Sequence, residues 1–227
     1  MIAHSIEQVQ KQMERATKKS GRSLEDIKLI AVTKTRTVDE MKEAQQQGLT
    51  QFGENKVQEI QNKYNEFSQD IGWHLIGHLQ RNKVKYIIDK VELIHSVDSL
   101  RLAKAIHKEA KKQDLVVNVL IQVNVANEDT KFGLPVKDVI PFLKEITTFE
   151  NIKVQGLMTM APYTPDPEES RPYFRQLKKL AVDINNQRLD NVYIRELSMG
   201  MTNDYNVAIE EGSTMIRVGT GIFGTRD

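Results

Sequence analysis

Eight short runs rich in β-branched residues recur along the chain, and longer stretches with apolar residues at helical spacing separate them. This alternation marks parallel strands joined by crossover helices, because parallel neighbours cannot be linked by a tight hairpin. Strands are predicted at Ile27–Thr33, Gln51–Gly53, Trp73–Gly77, Glu92–His95, Val117–Val123, Lys153–Met158, Ile194–Leu197 and Met215–Val218. The second is so brief that only its place in the series supports it. Helices are predicted at Val38–Gln47, Lys56–Phe67, Asn82–Asp89, Leu100–Lys112, Val136–Ile146, Glu168–Ile184 and Asp204–Glu211. Thr37 and Glu40 form a capping box, and Gly48 stands where a left-handed glycine would close that helix. Met1–Ser20 reads as an additional amphipathic helix with Ile6, Val9, Met13 and Ala16 on one face. Eight strands with intervening helices point to a (β/α)8 TIM barrel with an extra N-terminal helix, in preference to an open doubly wound sheet.

No linker, repeat or low-complexity tract interrupts the pattern, so residues 1–227 are expected to form a single domain. The 32 Lys and Arg nearly balance 31 Asp and Glu, giving a net charge of +1 that offers no bulk attraction to nucleic acid or an anionic membrane. The Lys104–Lys112 run reads as a solvated helix face. The chain has no cysteine, which excludes disulfides, Cys-ligated zinc and a thiol nucleophile. No stretch approaches the roughly 18 consecutive apolar residues of a membrane helix. A soluble, cytoplasmic protein is the expectation.

Functional residues of such barrels project from the C-terminal strand ends. Lys34 follows the apolar run Leu29-Ile30-Ala31-Val32, where a desolvated amine would suit Schiff-base chemistry, although a strand-end lysine is ordinarily solvated. Ser198, Gly200 and Thr202 follow the seventh strand, and Gly219, Thr220 and Gly221 follow the eighth. Those are the two loops with which barrels often hold phosphate, although such glycines also serve ordinary turns. Gly219, Gly221 and Gly224 match a dinucleotide fingerprint, but that motif needs a following helix and an acidic residue about 20 positions on. His74 and His78 are four apart, a metal-binding spacing only on a helix, and they fall in a predicted strand, so no metal is expected. His78 is read as lining the mouth, His74 as packed or hydrogen-bonded.

Several motifs together resemble the pyridoxal phosphate homeostasis proteins, single-domain relatives of the alanine racemase N-terminal barrel. They are Ala31-Val32-Thr33-Lys34, Phe52-Gly53-Glu54-Asn55-Lys56, Trp73 to Lys83, Gly156-Leu157-Met158-Thr159-Met160, Leu197-Ser198-Met199-Gly200-Met201 and Ile216 to Gly224. The resemblance implies a pyridoxal 5′-phosphate (PLP) site, with an aldimine on Lys34 and the phosphate held by Ser198, Gly219 and Thr220. It also implies Arg217 near the pyridine nitrogen, with Asn55 and Met158 lining the ring. Arg36-Thr37 stands where relatives often carry proline, and Thr202 where many have serine.

An arginine facing the pyridine nitrogen disfavours its protonation and weakens carbanion chemistry. Racemases of the alanine type obtain a second acid/base from an additional domain and a partner subunit, for which no residues are expected here. The preferred reading is therefore a monomer that binds and handles PLP within vitamin B6 and amino-acid homeostasis, exchanging it with amino acids or PLP-accepting apoenzymes. No robust catalysis, and so no catalytic residue, is expected. A PLP-dependent racemase using Tyr163 or Tyr205, a Schiff-base lyase acting on a phosphorylated sugar, and a module acting through a protein partner remain open alternatives.

Overall fold

The computed structural model describes residues 1–68, 70–128 and 132–225. Its strands are β1 (Lys28–Val32), β2 (Gln51–Glu54), β3 (Gly72–Leu75), β4 (Leu93–Val97), β5 (Val117–Asn124), β6 (Leu134–Pro135), β7 (Ile152–Met158), β8 (Val192–Met201) and β9 (Met215–Val218). All but β6 form an eight-stranded parallel barrel, closed by β9 on β1 and completed by β4 on β5. The two-residue β6, not anticipated from the sequence, pairs with the end of β5 alone. Its Pro135 has no N–H for a further ladder, which suits an edge.

The helices are α1 (Ile2–Ser20), α2 (Val38–Gln46), α3 (Val57–Lys63), α4 (Leu100–Lys112), α5 (Val136–Ile146), α6 (Arg171–Asn186), α7 (Tyr205–Glu210) and α8 (Thr220–Phe223). The capping box at Thr37 and Glu40 is formed, and Gly48 takes φ 89° just beyond α2. The buried stripe of α1 includes Ile6, Val9, Met13 and Ala16.

Three helical predictions change form. Asn82–Asp89 becomes a 3₁₀ segment, Arg81–Tyr86, which buries Val84 and is followed directly by the buried Ile87. The helix expected over Lys56–Phe67 ends at Lys63 and tightens to 3₁₀ geometry over Tyr64–Glu66, after which Phe67 turns edge-on to Phe52 and Trp73. Before α6, Pro167–Ser170 forms a separate 3₁₀ turn.

Strand alternation divides the core in two. Ala31, Phe52, Ile94, Ile121, Leu157, Leu197 and Ile216 face outward into the layer beneath the helices. Ile30, Leu93, Leu120, Met158 and Met215 form a separate cluster inside the barrel. Arg217 lies two residues beyond Met215 and His95 two beyond Leu93, so this inward parity carries polar side chains above an apolar floor.

Candidate functional site

Lys34 lies just beyond β1, half-buried, and among the described residues it has no hydrogen-bond or ion-pair partner. Its neighbours are firmly held. Thr35 adopts φ 63°, a left-handed conformation that costs a β-branched residue on the order of 1–3 kcal/mol. Its N–H donates to Glu59 Oε2 at 2.7 Å. Lys63 Nζ donates to Glu59 at 3.1 Å, to Glu54 Oε1 at 2.8 Å and to the Thr33 carbonyl at 2.9 Å. The Thr33 hydroxyl donates to the same Glu54 oxygen at 2.6 Å.

Burial pushes the Glu54 carboxyl up to about 7, against the hydrogen bonds from Lys63 and Thr33. Among the described residues its second oxygen is buried without a partner. Burial also raises Glu59, but the Thr35 N–H, Lys63 and Glu54 hold it below its ordinary range. Of these groups Thr33 and Glu54 were noted in the sequence within the family motifs, whereas Glu59 and Lys63 were not singled out; their spacing from Glu54 along α3 was the available signal.

At the opposite side of the β1 end, β9 runs in register with β1 from Lys28 beside Met215 to Ala31 beside Val218. Gly219 then lies against Val32, where a Cβ would stand 3.4 Å from the Val32 Cβ. The Thr220 hydroxyl donates to Thr202 Oγ1 at 3.2 Å, and the Gly221 N–H donates to that oxygen at 3.2 Å. Thr202, Gly219 and Gly221 are partly exposed and Thr220 is exposed, so hydroxyls and backbone from two strand ends form one polar rim. Gly200 permits it. The residue takes φ 94°, and a Cβ would come within 2.5 Å of Ala208 Cβ on α7.

Ser198, expected among the phosphate ligands, is elsewhere. β8 continues to Met201, beyond the Leu197 end predicted, and carries Ser198 below the rim with no exposed surface. Its hydroxyl joins His95 Nδ1 at 2.9 Å and accepts from Arg217 Nη1 at 2.5 Å. Thr202, four residues on, occupies the rim instead. Arg217 also donates from Nη2 to the Thr159 carbonyl at 2.9 Å.

Arg217 is 3% exposed and makes no ion pair among the described residues. Burial lowers its pKa to about 10, with Asp204 acting in the opposite direction. A buried cation held only by a hydroxyl and a carbonyl is costly unless a further acceptor or anion meets it.

Met158 is buried in the inner cluster, in register with Ser198 on β8, with the partly buried Met160 against that cluster. Asn55 is half-buried directly after β2, its backbone against Gly77. His74 is wholly buried and hydrogen-bonded to Gln51 and His95, whereas His78 is exposed and stacks on Phe132 with centroids 4.3 Å apart. His95, noted in the sequence only as a strand-end residue, proves central to the interior. Of the two tyrosines considered as acids, Tyr205 turns outward to donate to Gln12 of α1 at 2.9 Å, and burial pushes it up to about 12. Tyr163 is 86% exposed in the loop before α6.

Residues 4–227 match the family model of the alanine racemase N-terminal domain. A pyridoxal phosphate homeostasis protein of Aquifex aeolicus (strain VF5) is 44% identical over 226 residues, covering 99% of this chain and 96% of the relative. One from Escherichia coli (strain K12) is 36% identical over 234 residues, covering 100% and 97%. The structure of PipY from Synechococcus elongatus PCC7942 with PLP bound superposes with a TM-score of 0.82 at 32% identity, covering 94% of this chain and 100% of PipY. By its barrel and its end-to-end likeness to these relatives, the chain belongs to the alanine racemase N-terminal domain family and, within it, to the pyridoxal phosphate homeostasis proteins.

Proposed function

We propose that this chain is a PLP-binding protein of intracellular PLP and amino-acid homeostasis. The observation that carries the site is the buried Arg217, without a carboxylate partner among the described residues, inside a barrel whose rim offers the Lys34 amine and the Thr202–Thr220 hydroxyl pair. An amine, a polar rim suited to a phosphate and an interior cation match the three polar features of the cofactor. The PLP-bound PipY structure and the names of the full-length relatives support the same reading.

When bound, the cofactor supplies a reactive aldehyde and a pyridine ring that can act as an electron sink if its nitrogen is protonated. Lys34 would supply the amine that attaches it. Thr202, Thr220 and the backbone at Gly219 and Gly221 would hold the phosphate, while Met158 and Asn55 would border the ring. Arg217 would disfavour protonation of the ring nitrogen, because two positive charges would then adjoin in a dry interior. This favours holding and exchanging the cofactor over carbanion chemistry. On this reading the exchange partners would be amino acids or apoenzyme lysines, whose amines would take the place of the Lys34 amine, and the protein would act as a single-domain monomer in the cytoplasm. Its lack of cysteine and of any helix long and apolar enough to cross a membrane, among the described residues, fits that setting.

Spectroscopy of the reconstituted protein tests this reading. Wild type should gain a visible absorption band with PLP, and borohydride should fix the label on the Lys34 peptide. No band, or a label mapping to another lysine, overturns it.

A further inference from the structure

A single file of side chains, partly exposed at Gln51 and buried from His74 onward, crosses the barrel interior from β2 to β9. Gln51 Oε1 lies 2.6 Å from His74 Nε2, and His74 Nδ1 lies 2.9 Å from His95 Nε2. His95 Nδ1 lies 2.9 Å from Ser198 Oγ, which accepts from Arg217. The two imidazoles meet edge to face, with centroids 5.1 Å apart. His74, His95 and Ser198 have no exposed surface.

With both imidazoles neutral, the acceptor at the Gln51 end sets every proton in the file. An amide oxygen only accepts and a guanidinium only donates, while a neutral imidazole donates at one nitrogen and accepts at the other. His74 must therefore donate from Nε2 to Gln51 and accept at Nδ1. His95 in turn donates from Nε2 and accepts at Nδ1. The Ser198 proton is then committed to His95, leaving the serine oxygen to accept from Arg217. With both rings neutral this is the one arrangement that keeps Gln51 Oε1 an acceptor. Burial, with Lys28 nearby, lowers the His74 pKa to about 3, and burial holds His95 well below its ordinary value.

We propose that Gln51, His74, His95 and Ser198 are positioning residues: their one-way hydrogen-bond relay holds Arg217 as an oriented donor at the cofactor ring. The cofactor half of this statement rests on the function proposed above. Arg217 is gripped from the inside by Ser198 and Thr159, which leaves its remaining N–H groups for a ligand. The relay starts near the opposite end of the barrel, where Gln51 is the first residue of β2 and the Lys28–Glu92 ion pair lies at the first residue of β1 and just before β4. Gly72 leaves room for the turn of the Gln51 side chain, since a Cβ there would stand 2.4 Å from Gln51 Oε1.

Long-range 1H–15N correlation spectra of histidine-labelled protein, with and without PLP, test the relay directly. His74 and His95, assigned through His74→Asn and His95→Asn, should both be neutral Nε2–H tautomers at pH 7. An Nδ1–H tautomer or an imidazolium at either position overturns the relay, and this readout needs neither cofactor binding nor a Gln51 variant. The link to the site is tested with Gln51→Leu, which removes the terminal acceptor, and Gln51→Glu, which keeps one. Gln51→Leu should weaken PLP binding about five-fold, the worth of one ordinary hydrogen bond, and shift the pH midpoint of the cofactor band. Gln51→Glu should restore both. A folded Gln51→Leu protein with wild-type affinity and band overturns the positioning role. If wild type itself binds no PLP, the proposed function fails whatever the tautomers are.

Discussion

The backbone N–H of Thr35 is bound to Glu59 Oε2 at 2.7 Å, so a carboxylate on α3 holds the residue that follows Lys34 in a left-handed conformation. Glu59 thereby stabilises the backbone turn that follows Lys34. Glu59→Ala should lower stability by roughly 1–2 kcal/mol, the cost of freeing a charge-assisted bond, and slow attachment of PLP. Adding Thr35→Gly should recover part of the stability, because glycine adopts φ 63° without steric cost. Urea denaturation and the rate of visible-band growth measure the two effects; a Thr35→Gly change that destabilises the Glu59→Ala protein further would contradict the strain argument.

Glu54 titrates in the unusual direction. Its folded-state pKa is raised to about 7 from 4.5, so the native state binds this proton more tightly than the unfolded chain. The resulting stability is fully present below pH 4.5 and is lost as pH rises through about 7. Glu54→Gln, which keeps a neutral hydrogen-bonding group, should remove that loss. The wild-type minus variant difference in unfolding free energy should therefore shrink between pH 5 and pH 8; a constant difference would show that Glu54 is ionised throughout.

The buried histidines act with the opposite sign. His74 falls from 6.5 to about 3 and His95 falls well below 6.5, so both remain neutral in the fold while the unfolded chain takes up protons. Their contribution is present above pH 6.5 and is lost as pH falls through that value toward about 3. Replacing His74 by Gln should make stability less acid-sensitive even where it lowers stability at neutral pH. Thermal melts from pH 7 to pH 4 check this.

The two hydroxyl positions of β8 and its loop should separate by ligand. Thr202→Val with Thr220→Val removes rim groups and should weaken PLP by about ten-fold or more, the scale of hydrogen bonds to a charged group, while leaving pyridoxal little changed. Ser198→Ala disturbs Arg217 from below and should weaken PLP and pyridoxal by similar factors. Fluorescence titration with both ligands decides between them, and a phosphate-selective loss in Ser198→Ala would return Ser198 to the rim.

The position of Lys34 after an apolar strand was legible from local order, whereas Arg217 was pointed to only by the family resemblance; its inward parity with Met215 emerges from the strand alternation seen in the fold. The hydroxyls could not be ranked in this way. Ser198 and Thr202 sit four residues apart in one polar stretch, and only the extra length of β8 buries the first and leaves the second at the rim. Likewise, nothing near His95 in the chain points to Ser198, 103 residues away.

The sequence by itself determined the eightfold strand–helix repeat, the caps of α2 and the amphipathic α1, because periodicity and capping involve residues within a few positions of each other. Tertiary structure alone decided which polar groups meet: the Glu54–Glu59–Lys63 cluster behind Lys34, the Thr202–Thr220 rim, and the relay from Gln51 to Arg217. Closing the barrel brings remote strands side by side, and burial there obliges each polar atom to find whatever partner that closure supplies.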